Sequence, residues 1–119
     1  METSFEAEIR SAGSALIVDM KGDLTKQAEE MLMKLHAWDQ PLGEGRTSLI
    51  LNFSGVPYIN SAGIALLIRI VRGGAKAGRQ TYAYGMNAHY QKLFRIVGLT
   101  THMLIYPDEY AIKTKLGLL

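Results

Sequence analysis

The chain has 119 residues, no cysteine, and 13 basic against 11 acidic side chains, for a net charge of +2. That length suits one domain, expected over 1–119, and the scattered charge offers no stripe for a phosphate backbone, so nucleic acid is not an expected partner. Without thiols there is no disulfide framework, no thiolate metal site and no thiol catalysis. The opening METSFEAEIR carries acids where a signal peptide carries a basic region, and no apolar run approaches the roughly 18 residues of a membrane span. These features predict a cytoplasmic protein without membrane insertion.

In chain order, SFEAEIR alternates, with Phe5, Ala7 and Ile9 on one side, as a half-buried strand does. Ser11-Ala12-Gly13 turns the chain, and ALIVDM is apolar enough to be a buried second strand of a hairpin. From Thr25 to about Trp38, Ala28, Met31, Leu32 and Leu35 recur at helical spacing, with Asp23 or Thr25 as N-cap. DQPLGEGRT breaks that helix, and SLILNF is a third buried strand. A long helix opens at Asn60-Ser61 and stops near Gly78; QTYAYG is a fourth strand. NAHYQKLFRIVG is a helix ended by Gly98, HMLIY a fifth strand, and Pro107 opens a last helix of about ten residues. Two strands followed by alternating helices and strands predict an α/β fold with a largely parallel or mixed sheet covered by helices.

Two catalytic motifs are tested by this pattern and fail. GGAKAGRQ spaces Gly73 and Gly78 as a phosphate-binding loop would, but Arg79-Gln80 follow in place of Lys and Ser or Thr, and the stretch leaves a helix for a strand. Ser61 stands where the nucleophile of a strand-to-helix elbow stands, with Gly63 fitting and Ile59 not. His36, His89 and His102 show no spacing of a triad or metal site. No cofactor or metal is expected, and no enzymatic activity.

The helix after Ser61 is more informative. Ile64, Leu67, Ile68 and Val71 form one stripe at about 100° per residue, the expected core face. Leu66 lies about 150° from the centre of that stripe, on the side of Ala62, Arg69 and Gly73, and is expected to be exposed. Beside the Ser61 hydroxyl this looks like a docking surface, made of Asn60, Ser61, Ala62, Gly63, Leu66 and Arg69. The bland alternative makes Ser61 the cap of the helix.

KGDLT, LILNFSGVPYINSAGIALL, YAYGMNAHYQKLFRIVGL and MLIYPDEYAI resemble, in order and spacing, the STAS domain of anti-sigma factor antagonists and of sulfate-transporter tails. The resemblance covers nearly the whole chain, and its most specific part is the I-D/N-S-x-G segment that opens a helix. It implies a mixed sheet of about five strands packed with about four helices, in the order β-β-α-β-α-β-α-β-α. It further implies a regulatory module that binds an anti-sigma factor or switch serine kinase, with Ser61 at the position phosphorylated in family antagonists. Asn60 replaces the usual aspartate; it caps a helix as well but lacks the charge a kinase could read. Asn52 stands in the strand where many members have Asp. An accessory subunit of a transporter is the second reading, and an enzyme or ligand-binding protein on this fold the third.

Overall fold

The computed structural model describes residues 5–43 and 45–119. Its elements follow the expected order: β1 (Glu6–Ala12), β2 (Ala15–Lys21), α1 (Lys26–Leu35), β3 (Ser48–Gly55), α2 (Ser61–Lys76), β4 (Gln80–Tyr84), α3 (Ala88–Ile96), β5 (Met103–Ile105) and α4 (Glu109–Leu116). A short 3-10 turn at Leu99–Thr101, which the sequence pattern does not announce, leads into β5.

The sheet runs β1-β2-β3-β4-β5 in space. β1 and β2 are antiparallel and the remaining neighbours parallel, because a two-residue turn can join only antiparallel strands while each later strand returns through a helix. The larger core layer, with Val18, Leu49, Leu51 and Phe53 from the sheet, lies with Ala28, Leu32, Leu67 and Phe94 of α1, α2 and α3. On the other face Ile17, Ile50 and Tyr82 meet Ile112 of α4. Strands covered on both faces need apolar residues at successive positions, which is why ALIV and SLIL are uninterrupted runs.

Four expectations need correction. Leu66 is buried, 2% exposed, while Ile64 and Ile68 are only half-buried. The apolar arc of α2 spans about 200° at 100° per residue, from Leu66 through Ile70, Leu67 and Val71 to Ile68. So broad an arc does not fix its own centre, and the helix is rolled toward Leu66, Gly63 and Ile70. In β1, Phe5 is buried and Ala7 half-buried, but Ile9 is 40% exposed because the strand lies at the sheet edge.

α1 ends at Leu35, short of Trp38, because His36 turns extended and Trp38 folds back so that its indole N–H donates to the Leu32 carbonyl at 2.8 Å. The last helix starts after its N-cap Asp108, whose side chain accepts the Ala111 amide at 2.8 Å, so Pro107 precedes the cap instead of occupying the first turn.

Candidate functional site

The mouth of α2 is built by two loops and the start of α3. Leu24, after β2, forms an isolated parallel bridge with Ile59: its amide donates to the Tyr58 carbonyl at 2.9 Å and its carbonyl accepts the Asn60 amide at 3.3 Å. From the other side the Tyr90 hydroxyl of α3 accepts the Ile59 amide at 2.9 Å. The segment before Ser61 is therefore pinned at both flanks, and the backbone there has little freedom to move with a ligand.

Asn60, half-buried, is the N-cap: its side-chain oxygen accepts the Gly63 amide at 3.0 Å, and its carbonyl accepts the Ile64 amide at 3.0 Å. The bland alternative, in which Ser61 caps the helix, does not hold, since the cap must precede the first helical residue and Ser61 is that residue. Its side chain is exposed and takes no hydrogen-bond partner among the described residues. Gly63 is buried, and a Cβ there would run into the Leu24 carbonyl oxygen, so glycine lets the helix mouth touch the β2–α1 loop.

The six residues of the expected docking surface do not share one face. Ser61 and Arg69 are exposed, Asn60 and Ala62 half-buried, Gly63 and Leu66 buried. Leu66 and Gly63 are thus withdrawn from any surface a partner could touch. In their place Ala65 is exposed between Ser61 and Arg69 on the solvent side of α2, and Arg72 and Lys76 continue that side toward the far end of the helix. The i, i+4 steps from Ser61 to Ala65 to Arg69 are legible in the sequence once the core face is placed correctly. Arg69 is held by an ion pair to Glu29 of α1.

No acidic residue lies in the first turn of α2. An anion on Ser61 would meet the positive end of the helix without a carboxylate from that turn to repel it. A groove of about 610 Å³ lies at the other end of α2 between Met33, Trp38, Ile68, Arg72 and Lys76, away from Ser61. Among the described residues no cluster of His, Asp or Glu could hold a metal ion, and no helix is long and apolar enough to cross a membrane. His36 and His89 pack edge-on against Trp38 and Tyr90.

Sequence reasoning also missed a polar network on the α4 side of the sheet. Asp19, Asn52 and Tyr84 are register neighbours on β2, β3 and β4. Arg10 bonds Asp19 and Glu109, Asn52 donates to Asp19 at 2.7 Å, and the Tyr84 hydroxyl donates to Glu109 at 2.8 Å. The Arg10 guanidinium, with Lys113 and Tyr84, holds the Glu109 carboxyl down to about 2. Burial first, and then Glu109, push the Tyr84 phenol up. Asn52 is thus a structural link; its sequence signals are a polar residue in an apolar strand and its place where many members of the family have Asp.

The STAS domain model matches residues 6–112. Among solved structures the fold is similar to the Bacillus cell fate determinant SpoIIAA in its phosphorylated form, at 25% identity and TM-score 0.65 over 93% of this chain and 98% of that one. The anti-sigma factor antagonist SpoIIAA in its unphosphorylated form aligns at 19% identity and TM-score 0.71 over 96% and 99%. A sulfate transporter family protein from Wolinella succinogenes aligns at 16% and 0.70 over 88% and 87%. No curated protein matches the chain by sequence. With a model spanning nearly all of it and the expected order of strands and helices in place, the chain belongs to the STAS domain family.

Proposed function

We propose that the chain is a non-catalytic binding module of the cytoplasm, an anti-sigma factor antagonist that docks a switch serine kinase or anti-sigma factor on the exposed side of α2 and is released when Ser61 is phosphorylated. One observation carries this reading. Among the described residues the Ser61 hydroxyl is exposed and unpartnered, at the mouth of a pinned helix whose cap is supplied by its neighbour. A hydroxyl with no structural duty, set at the positive end of a helix dipole, can accept a phosphoryl group at little cost to the fold. The likeness to SpoIIAA, solved both with and without phosphate, supports it. Docking would centre on Ser61, with Asn60, Ala62 and Arg69 around it and Ala65 joining them.

The Wolinella structure has the same fold, and an accessory role on a transporter would use the same helix face. The experiment is incubation with ATP and the serine kinase captured by the unmodified protein from its native cell. Intact-mass spectrometry should show the gain of one phosphoryl group, lost in Ser61→Ala. Capture of transporter subunits alone, or a phosphoryl group elsewhere in the chain, would refute the antagonist reading.

A further inference from the structure

β1 is an open sheet edge whose own pattern fits a second copy of itself. In the β1–β2 hairpin a two-residue turn makes Ala12 and Ala15 the closing pair, and the register continues through Arg10–Ile17, Glu8–Asp19 and Glu6–Lys21. A closing pair across a two-residue turn exchanges both of its backbone hydrogen bonds, so the even-numbered residues of β1 are bonded to β2. The amides and carbonyls of Ala7, Ile9 and Ser11 therefore point away from the sheet. Among the described residues no backbone group bonds to them.

Sheet edges are ordinarily guarded by charge, a bulge or proline. This one has a continuous register, no proline, and an exposed Ile9 between Glu8 and Arg10. Antiparallel pairing with a copy, centred on Ile9, sets Ile9 opposite Ile9 of the copy and Ala7 opposite Ser11 of the copy, the residues whose backbone groups are free. It also sets Glu8 opposite Arg10 of the copy, and Arg10 opposite Glu8 of the copy, at the closer-spaced pairs of the ladder. Arg10 is already bonded to Asp19 and Glu109 of its own chain, so Glu8 of the copy adds to an occupied guanidinium, but this register keeps like charges apart where its neighbours would not. A shift by one residue would face bonded against unbonded backbone, and a shift by two pairs of the copy's residues would set Arg10 against Arg10 or Glu8 against Glu8.

We propose that β1 is the seam of a symmetric dimer in which Ile9 pairs with Ile9 and Glu8 with Arg10 of a second copy, joining two sheets into one. The surface is a single strand edge and leaves the Ser61 end of α2 out of the pairing. The contact is small, so dimerisation is concentration-dependent.

Sedimentation of the full chain across micromolar to millimolar concentration should show a monomer–dimer equilibrium. Ile9→Pro should shift its dissociation constant at least tenfold while the circular dichroism spectrum and melting stay near wild type, since the Ile9 amide serves no bond within the monomer. Glu8→Arg, which sets like charges face to face, should weaken the dimer similarly without touching the ladder. Because the chain has no cysteine, Ile9→Cys should cross-link under mild oxidation at a Cα separation of about 5.5 Å. Ala7→Cys alone should not, while a mixture of Ala7→Cys and Ser11→Cys should. A monomer throughout the range, equal dimerisation of folded Ile9→Pro and Glu8→Arg, or cross-linking of Ala7→Cys to itself would overturn the proposal. So would a monomeric wild type whose β1 edge is instead filled by a captured protein.

Discussion

Asn60 accepts the Gly63 amide through its side chain, and the residue between the cap and that amide's turn, Ser61, is left with a hydroxyl the helix does not use. Cap and candidate switch are separate side chains. Asn60→Ala should therefore lower stability by about 0.5–2 kcal/mol, the usual loss of a side-chain cap. Ser61→Ala should change it by no more than about 0.5 kcal/mol, as exposed substitutions do. Urea unfolding of the two variants checks the division, and a larger loss for Ser61→Ala would reverse it.

Gly63→Ala tests how closely the helix mouth sits on the β2–α1 loop. Alanine gains up to about 1 kcal/mol in helix propensity over glycine. Here its Cβ would strike the Leu24 carbonyl and crowd the Ile59 side chain. Backbone cannot swing aside as a flexible side chain does, and overpacking of this kind costs about 1–3 kcal/mol or more. The net expectation is a lower melting temperature, and a variant that melts above wild type would show the contact to be slack.

The architecture was legible because each local signal agreed with the next. The uninterrupted runs ALIV and SLIL are central strands, Gly78 and Gly98 end α2 and α3 with left-handed backbone, and Asn60 and Asn87 cap them. The roll of α2 was not legible. With Leu66, Ile70, Leu67, Val71, Ile64 and Ile68 all apolar, choosing four of them sets a centre that the sheet and α1 do not share, and it is tertiary packing that decides. Nor could periodicity show that Arg10, Asp19 and Glu109 converge, since 99 residues separate Arg10 from Glu109. Leu66→Ala should accordingly cost about 2–5 kcal/mol as a core truncation, and Arg69→Ala, on an exposed ion pair, about 1 kcal/mol or less. Chemical denaturation of both variants distinguishes this face assignment from its opposite.

Glu109 couples α4 to β1 in a pH-dependent way. Its carboxyl is lowered from 4.5 to about 2, chiefly by its hydrogen bonds from Arg10, and Arg10 lowers Asp19 as well. A depressed folded pKa means that the stabilisation is fully present above the unfolded value near 4.5 and is lost as pH falls toward 2. Wild type should therefore lose stability relative to Glu109→Gln across that window, with the gap between them greatest at neutral pH. Urea midpoints measured from pH 7 down to 2 check this, and a gap that stays constant would show that the ion pairs contribute nothing.

Ser61→Asp separates a switch from an idle hydroxyl. The substitution places a negative charge at the first residue of a helix whose opening turn holds no acid. Such a charge is favourable by about 0.3–1 kcal/mol, so the fold should be kept and even slightly stabilised. A partner docked over the α2 mouth would have to strip water from that carboxylate without a matching cation, and leaving a charge desolvated and unpaired is costly. Affinity for the captured kinase or anti-sigma factor should fall at least tenfold in Ser61→Asp and remain near wild type in Ser61→Ala, which keeps the surface neutral. Arg69→Ala should weaken binding less, because its charge is already shared with Glu29. Calorimetric titration of the three variants against the same purified partner decides the matter. Equal affinity of wild type and Ser61→Asp, with both folded, would mean that charge at the helix mouth is not what the partner reads.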